Sequence, residues 1–141
     1  MQIQPYLFFE GRCDEAVAFY REALGAEVTR LVRYRDMPDP QPGSVPLGGE
    51  DKVMHAALQI GEASILMSDG FCRGQPSFQG FSVALTVPEA ETARRWFDAL
   101  AQGGQVRMPL GPTFFSPAFG MVADRFGVPW MVTARGEAAP C

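Results

Sequence analysis

Glu15-Ala16-Val17-Ala18-Phe19-Tyr20-Arg21-Glu22-Ala23-Leu24-Gly25 is the stretch of sequence that decides the fold. Its apolar residues recur at steps of three and four, the spacing of one helix face, and Gly25 supplies a left-handed stop. The pattern predicts an amphipathic helix over residues 14–24. Before it, the apolar and aromatic residues 3–9 predict a strand. Pro5 places this strand near a sheet edge or at a strand start, because proline has no N–H to donate.

Three more strands follow the helix. Residues 28–35 alternate with one charged face, which is typical of a half-buried strand. The proline- and glycine-rich residues 36–51 predict a long loop. Residues 52–60 and 63–68 then predict two strands joined by a hairpin turn at Gly61-Glu62. The first part of the chain therefore has the pattern β-α-β-β-β.

A second copy of this pattern occupies the rest of the chain. Residues 81–87 predict a strand, Pro88 suits a first helical position, and the apolar stripe over residues 93–101 predicts a helix that ends at Gly103. The remaining strands are expected at residues 105–108, 118–123 and 128–133. We therefore expect an α+β fold with two β-α-β-β-β units, each a curved mixed sheet with a helix on its convex face. The units would cover about residues 1–70 and 80–135 of one domain over residues 1–141.

Composition excludes several classes of protein. The chain has 141 residues, enough for one core without metal or disulfide support, and its net charge of −4 argues against binding nucleic acid. Three cysteines without CxxC spacing indicate neither a disulfide framework nor a zinc knuckle. We find no membrane-spanning run and no signal peptide, so a cytoplasmic location and no membrane partner are expected.

Four segments carry a resemblance to a known family: Pro5–Phe9, Val53–Ala56, Ile65–Asp69 and Asp124–Trp130. Together with the helix-bearing repeat they resemble the PhnB-like branch of the vicinal oxygen chelate superfamily, which includes glyoxalases, extradiol dioxygenases and bleomycin-resistance proteins. The resemblance spans nearly the whole chain and implies the glyoxalase-like fold. The branch also carries the label 3-demethylubiquinone methyltransferase-like. The chain has no glycine-rich turn of the kind that binds a methyl donor, so we do not expect a methyltransferase.

The metal-using members of this superfamily hold a divalent ion with two histidines and two glutamates. Their spacing, transferred to this chain, places the four ligand positions at Pro5, Leu66, Ser82 and Met131. None of these side chains is a good ligand for a hard or borderline divalent ion. This departure from the family's ligand set predicts a protein without the family metal, and we expect no cofactor.

His55 is the only histidine, and strand alternation places it on one face with Ala57 and Gln59. A hydrogen-bonded structural histidine is one interpretation. A base or donor that lines a cavity is the other. Asp69 ends the next strand, either as a turn residue or, if it reaches His55, as a carboxylate that fixes the imidazole tautomer. We therefore take both as candidate catalytic residues.

The predicted ligand cavity lies on the concave sides of the two sheets. It comprises His55, Gln59, Leu66, Ser82, Ala84 and Met131, with two aromatic residues between Pro112 and Pro117, Phe114 and Phe115. These two rings either pack in the core or cover a pocket or interface. Arg30, Arg33 and Arg35 form either a solvated strand face or, less favoured, a site for a phosphate or phosphonate group.

Two functions follow from these residues. The first is a metal-free protein that binds a small, partly apolar molecule. The alternative is a lyase or isomerase that uses His55 as a general base, or as one ligand of a rearranged metal site with Asp69 and a loop carboxylate. In either case we expect a homodimer, as the resemblance implies.

Overall fold

The computed structural model describes residues 1–38, 43–72 and 74–135, so part of the predicted 36–51 loop, including Asp39, lies outside the described residues. The chain divides into two compact units, Met1–Pro76 and Ser77–Cys141. This boundary falls in the glycine-rich segment between the two predicted units. Each unit consists of one four-stranded mixed sheet and one helix, which confirms the predicted α+β architecture of two β-α-β-β-β units.

The first unit consists of strand β1 (Tyr6–Phe8), helix α1 (Cys13–Leu24) and strands β2 (Glu27–Arg33), β3 (Val53–Ile60) and β4 (Ala63–Ser68). The strands lie in the order β1-β4-β3-β2, with β1 parallel to β4 and the other pairs antiparallel. The predicted helix is confirmed, and Gly25 ends it at a φ of 65°. Strand β2 stops at Arg33 rather than residue 35, because Tyr34–Asp36 forms a 3-10 turn.

The second unit repeats this arrangement with strand β5 (Val83–Val87), helix α2 (Ala90–Ala101) and strands β6 (Gln105–Gly111), β7 (Phe119–Ala123) and β8 (Pro129–Ala134). The order β5-β8-β7-β6, with β5 parallel to β8, matches that of the first sheet. The prediction that Pro88 occupies the first helical position is wrong. Glu89 is still extended, at φ −126° and ψ 149°, so the helix begins only at Ala90.

Strand β6 is longer than predicted and runs through Pro109. Proline is tolerated there because β6 is an edge strand and its pairing with β7 shifts register twice, between Val106 and Met108 and between Met108 and Gly111. These irregularities explain why the residue pattern alone ended the strand too early.

Each helix covers one face of its own sheet. In the first unit, Ala16 and Tyr20 of α1 are fully buried, as are Ala56 and Leu58 of β3. In the second, Ala93 and Leu100 of α2 are buried with Val132 of β8, and α2 packs on β7 and β8. Among the described residues, no helix has the length and apolar character needed to span a membrane. Among the residues that the structure describes, no helix of the same unit lies on the second face of each sheet, and we call this face the open face.

Candidate functional site

The open face of the first sheet is defined by its register. Leu66 of β4 pairs with Tyr6 on one side and with Ala57 on the other, and Ala57 pairs with Arg30 of β2. Paired residues share a face, so these four side chains form one row across the sheet. His55 lies two residues before Ala57 and therefore on the same face. All five side chains are half-buried or exposed.

The His55 side chain makes a hydrogen bond with Tyr6. The Tyr6 hydroxyl lies 3.0 Å from Nδ1, and the two ring centroids are 5.6 Å apart. Burial lowers the pKa of His55 below its usual value, and the nearby Arg30 guanidinium lowers it further. Both effects favour the neutral imidazole over the charged form. In the tautomer with its proton on Nε2, Nδ1 accepts the tyrosine proton and Nε2–H is left to donate.

Asp69 lies in a different environment. It is fully buried, and its Oδ1 accepts hydrogen bonds from the backbone N–H groups of Gly11 and Cys13, at 2.9 and 2.8 Å. Its Oδ2 accepts the N–H of Val53 at 2.8 Å. These bonds hold the start of α1 and the start of β3 to the end of β4. Asp69 makes no hydrogen bond to His55, and this geometry matches the structural interpretation.

The rearranged metal site also finds no support in this geometry. Within residues 1–38, 43–72 and 74–135, no three histidine, cysteine, aspartate or glutamate side chains come together in a way that could hold an ion. The Asp69 oxygens are already engaged by three backbone donors.

The predicted cavity residues of the second unit lie on its open face or in an exposed loop. Met131 of β8 pairs with Ala84 of β5 and with Met121 of β7, which in turn pairs with Met108. Three of these four side chains are thioethers. Ser82 is half-buried just before β5.

Phe114 and Phe115 lie in the loop that connects β6 to β7. Phe114 is 97% exposed and Phe115 48%, so Phe114 does not pack in the core of its unit. The two rings are in edge contact at 5.1 Å, and Phe115 makes a second such contact with Phe119. Exposed rings of this kind leave the pocket or interface interpretation in place.

The prediction from the sequence and the observed structure differ most at Gln59 and Tyr6. The Gln59 side chain is exposed and donates to the Gly61 carbonyl oxygen at 3.0 Å, so it is bonded to the hairpin turn. Tyr6 was not among the predicted site residues. Its alternation with the buried Leu7 and Phe9 was the available signal, because it places Tyr6 on the open side of the strand.

The comparisons with known proteins agree with this fold. The sequence profile of the Glyoxalase/Bleomycin resistance protein/Dioxygenase superfamily matches residues 2–132. The chain belongs to this superfamily. It is 38% identical over 138 residues to Protein YjdN of Escherichia coli strain K12, with 94% of each chain covered.

Two solved structures are similar to the chain over nearly its whole length. Protein PA1353 from Pseudomonas aeruginosa is 40% identical with a TM-score of 0.82, and the match covers 97% of this chain and 99% of that one. The PhnB protein from Bacillus cereus is 29% identical with a TM-score of 0.75, and the match covers 95% of this chain and 99% of that one. That protein is described as a putative 3-demethylubiquinone-9 3-methyltransferase, a description of that protein alone.

The residues present do not fit the divalent metal that members of this superfamily use. The register pairs Leu66 with Tyr6, not with Pro5, and pairs Met131 with Ala84. Pro5 precedes β1 and has the opposite alternation to Tyr6. With Tyr6 in place of Pro5, the positions Tyr6, Leu66, Ser82 and Met131 offer a phenol, an apolar side chain, a hydroxyl and a thioether. The Ala84 that pairs with Met131 would add only a methyl group. None supplies the carboxylate or imidazole that such an ion requires.

Proposed function

We propose that this chain binds a small, partly apolar molecule on the open faces of its sheets and does so without a divalent metal. The observation that carries this proposal is the Tyr6–His55 pair, a polar contact set among half-buried apolar side chains on a face that α1 does not cover. Ligand sites commonly combine a mainly apolar lining with a few fixed polar groups.

The lining is suited to binding an apolar body. Leu66 and Ala57 flank the polar pair in the first unit, and the exposed ring of Phe8 lies 5.0 Å from that of Tyr6. In the second unit, Met121 and Met131 offer flexible, polarizable side chains that adapt to different shapes. Both sets belong to the predicted cavity or lie directly beside it.

Binding is favoured over a lyase or isomerase because nothing described activates His55 as a base. A catalytic imidazole is usually oriented by a carboxylate, and Asp69 is committed to backbone donors.

Native mass spectrometry of freshly purified protein tests the proposal. We expect a bound small molecule that leaves on denaturation, and a raised melting temperature with at least one compound of a metabolite panel. His55→Ala should abolish that thermal shift, while Arg21→Ala on the exposed surface of α1 should preserve it. A panel without a single hit, together with protein that carries no molecule, would contradict binding.

Elemental analysis tests the metal-free part separately. Protein purified without a chelator or a metal-affinity tag should contain zinc, nickel and manganese far below one ion per chain. A stoichiometric ion would overturn this part of the proposal.

A homodimer is the proposed assembly. The exposed rings of Phe114 and Phe115 are candidates for burial between chains, since large exposed aromatic groups commonly mark interfaces. Light scattering should give twice the mass of one chain, and a strictly monomeric profile would count against it.

A further inference from the structure

Arg30 lies beside the Tyr6–His55 pair. Arg30 pairs with Ala57, and Val32, two residues later, pairs with His55 without a register shift between them. Arg30 and His55 are therefore diagonal neighbours on one face, a separation that a long side chain can bridge. Tyr6 from β1 and Arg30 from β2 are the titratable groups that face His55 among the described residues.

Arg30 differs from neighbouring arginines in having no acidic partner. Arg33 binds both Asp14 oxygens at 2.9 Å, and Arg35 is paired with Asp51. Within the described parts of the chain, no carboxylate or other acceptor binds the Arg30 guanidinium. In a chain with net charge −4, an arginine without a carboxylate on this face is a cation available to a ligand.

The neighbouring groups complete a site for an anion. A guanidinium binds a carboxylate or another oxyanion through two parallel hydrogen bonds, so arginine is suited to pair with an acidic group of a ligand. In the tautomer whose Nδ1 accepts from Tyr6, the Nε2–H of His55 is a further donor on the same face. Leu66 and Ala57 lie in the row between Tyr6 and Arg30 and offer an apolar floor.

We propose that the ligand of the first open face is an organic acid, whose carboxylate pairs with Arg30 and whose apolar body lies on Leu66 and Ala57. This inference rests on the proposed binding function and names its ligand class. The anion supplies the charge partner that Arg30 lacks, and the body occupies the apolar surface between the two polar groups.

Matched probes of equal shape test the inference. 2-Naphthoate and its neutral analogue 2-naphthamide are titrated into isotope-labelled full-length protein, with binding followed by amide chemical shifts in NMR spectra. We expect naphthoate to bind at least about tenfold more tightly than naphthamide, the loss typical of a missing charged hydrogen-bond partner. Naphthoate binding should weaken with added salt, and naphthamide binding should not.

Arg30→Gln should weaken naphthoate binding by about the same factor and leave naphthamide unchanged. Arg21→Gln is the matched control, because it removes the same charge from the exposed surface of α1 and should change neither. Arg30→Lys keeps the charge without the bidentate geometry, so an intermediate affinity is expected. A well-dispersed spectrum of each variant confirms that it is folded.

Other outcomes overturn the inference. Equal binding of acid and amide, or equal affinities of Arg30→Gln and Arg21→Gln, would reject an organic acid as ligand while leaving the proposed binding function intact. Failure of both probes to bind would also reject it, because the Arg30 face should accept a simple aromatic acid. The binding function itself is judged by the co-purified molecule and the metabolite panel. Phenylphosphonate and benzoate, titrated in the same way, compare a tetrahedral anion with a carboxylate. Tighter binding of phenylphosphonate would overturn the carboxylate in favour of a tetrahedral anion.

Discussion

The open faces of the two units have the same register but different chemistry. The row Tyr6, Leu66, Ala57 and Arg30 of the first sheet corresponds, position by position, to the row Ala84, Met131, Met121 and Met108 of the second. One row carries a phenol and a cation, and the other carries three thioethers. The duplicated fold keeps backbone pairing constant while its uncovered positions are free to vary, because they do not determine how the helix packs.

The units also differ in how buried carboxylates stabilise them. In the first unit Asp69 binds the start of α1 and the start of β3, which are far apart in sequence. In the second unit Asp124 binds the turn after β7, through Phe126 and Val128, together with the indole N–H of Trp130. Asp69 therefore holds separate elements together, whereas Asp124 shapes one local turn.

The largest expected effect comes from removing these carboxylates. Asp69→Ala leaves three backbone N–H groups without their acceptor and should lower the free energy of unfolding by at least about 3 kcal/mol. Urea unfolding measures this loss. Asp69→Asn should lose less, because Oδ1 can still accept from Gly11 and Cys13 while only Val53 faces the new NH₂ group.

Asp124→Ala extends the same comparison to the second unit. It should also be strongly destabilising, because both backbone donors and the buried Trp130 indole lose their acceptor. If either alanine variant unfolds at nearly the wild-type urea concentration, the corresponding carboxylate does not anchor its unit.

A medium effect is expected where each sheet meets its helix. Gly120 occupies the position in β7 that Ala56 occupies in β3. A Cβ at Gly120 would lie 2.7 Å from the Phe97 ring and 2.9 Å from the Leu110 Cα, so Gly120→Ala should cost about 1–3 kcal/mol. The reciprocal Ala56→Gly variant should cost about 1 kcal/mol or less. Equal melting temperatures for Gly120→Ala and wild type would show that the second sheet is not so tightly packed.

The smallest effect is expected on the open face and depends on pH. His55→Ala should change the free energy of unfolding by no more than about 0.5 kcal/mol at pH 8, since the side chain is only half-buried. Because the folded pKa of His55 is lower than the unfolded value, the unfolded state binds more protons as pH falls below about 6.5. The contribution of His55 to wild-type stability should therefore fall as the pH drops through that range and be constant above it.

Urea unfolding of wild type and His55→Ala at several pH values measures this contribution. His55 is the only histidine, so the histidine part of the slope between pH 5 and 7 should disappear in the variant. All other titratable groups are common to the two proteins, so their contribution cancels in the comparison. An identical slope in both would show that burial does not lower the pKa of His55, and a loss of several kcal/mol at pH 8 would show a structural role instead.

The sequence by itself determined the duplicated architecture and the superfamily. Helical periodicity around Phe19, strand alternation and glycine stops are local signals, and they located α1, the hairpin of β3 and β4, and the repeat in the second unit. The same local signals failed where tertiary pairing intervened. Pro109 continues an irregular edge strand, and Glu89 delays the start of α2.

Only the tertiary structure decided how the candidate residues are partnered. Tyr6 and His55 are separated by 49 positions, and their contact depends on β4 lying between β1 and β3. The same long-range register places the Asp69 carboxylate against backbone donors. It also places Arg30 beside His55, whereas Arg33 binds Asp14. Periodicity assigns a residue to a face, but strand order and register set its neighbour, because hydrogen bonds between distant segments form only once the sheet is assembled.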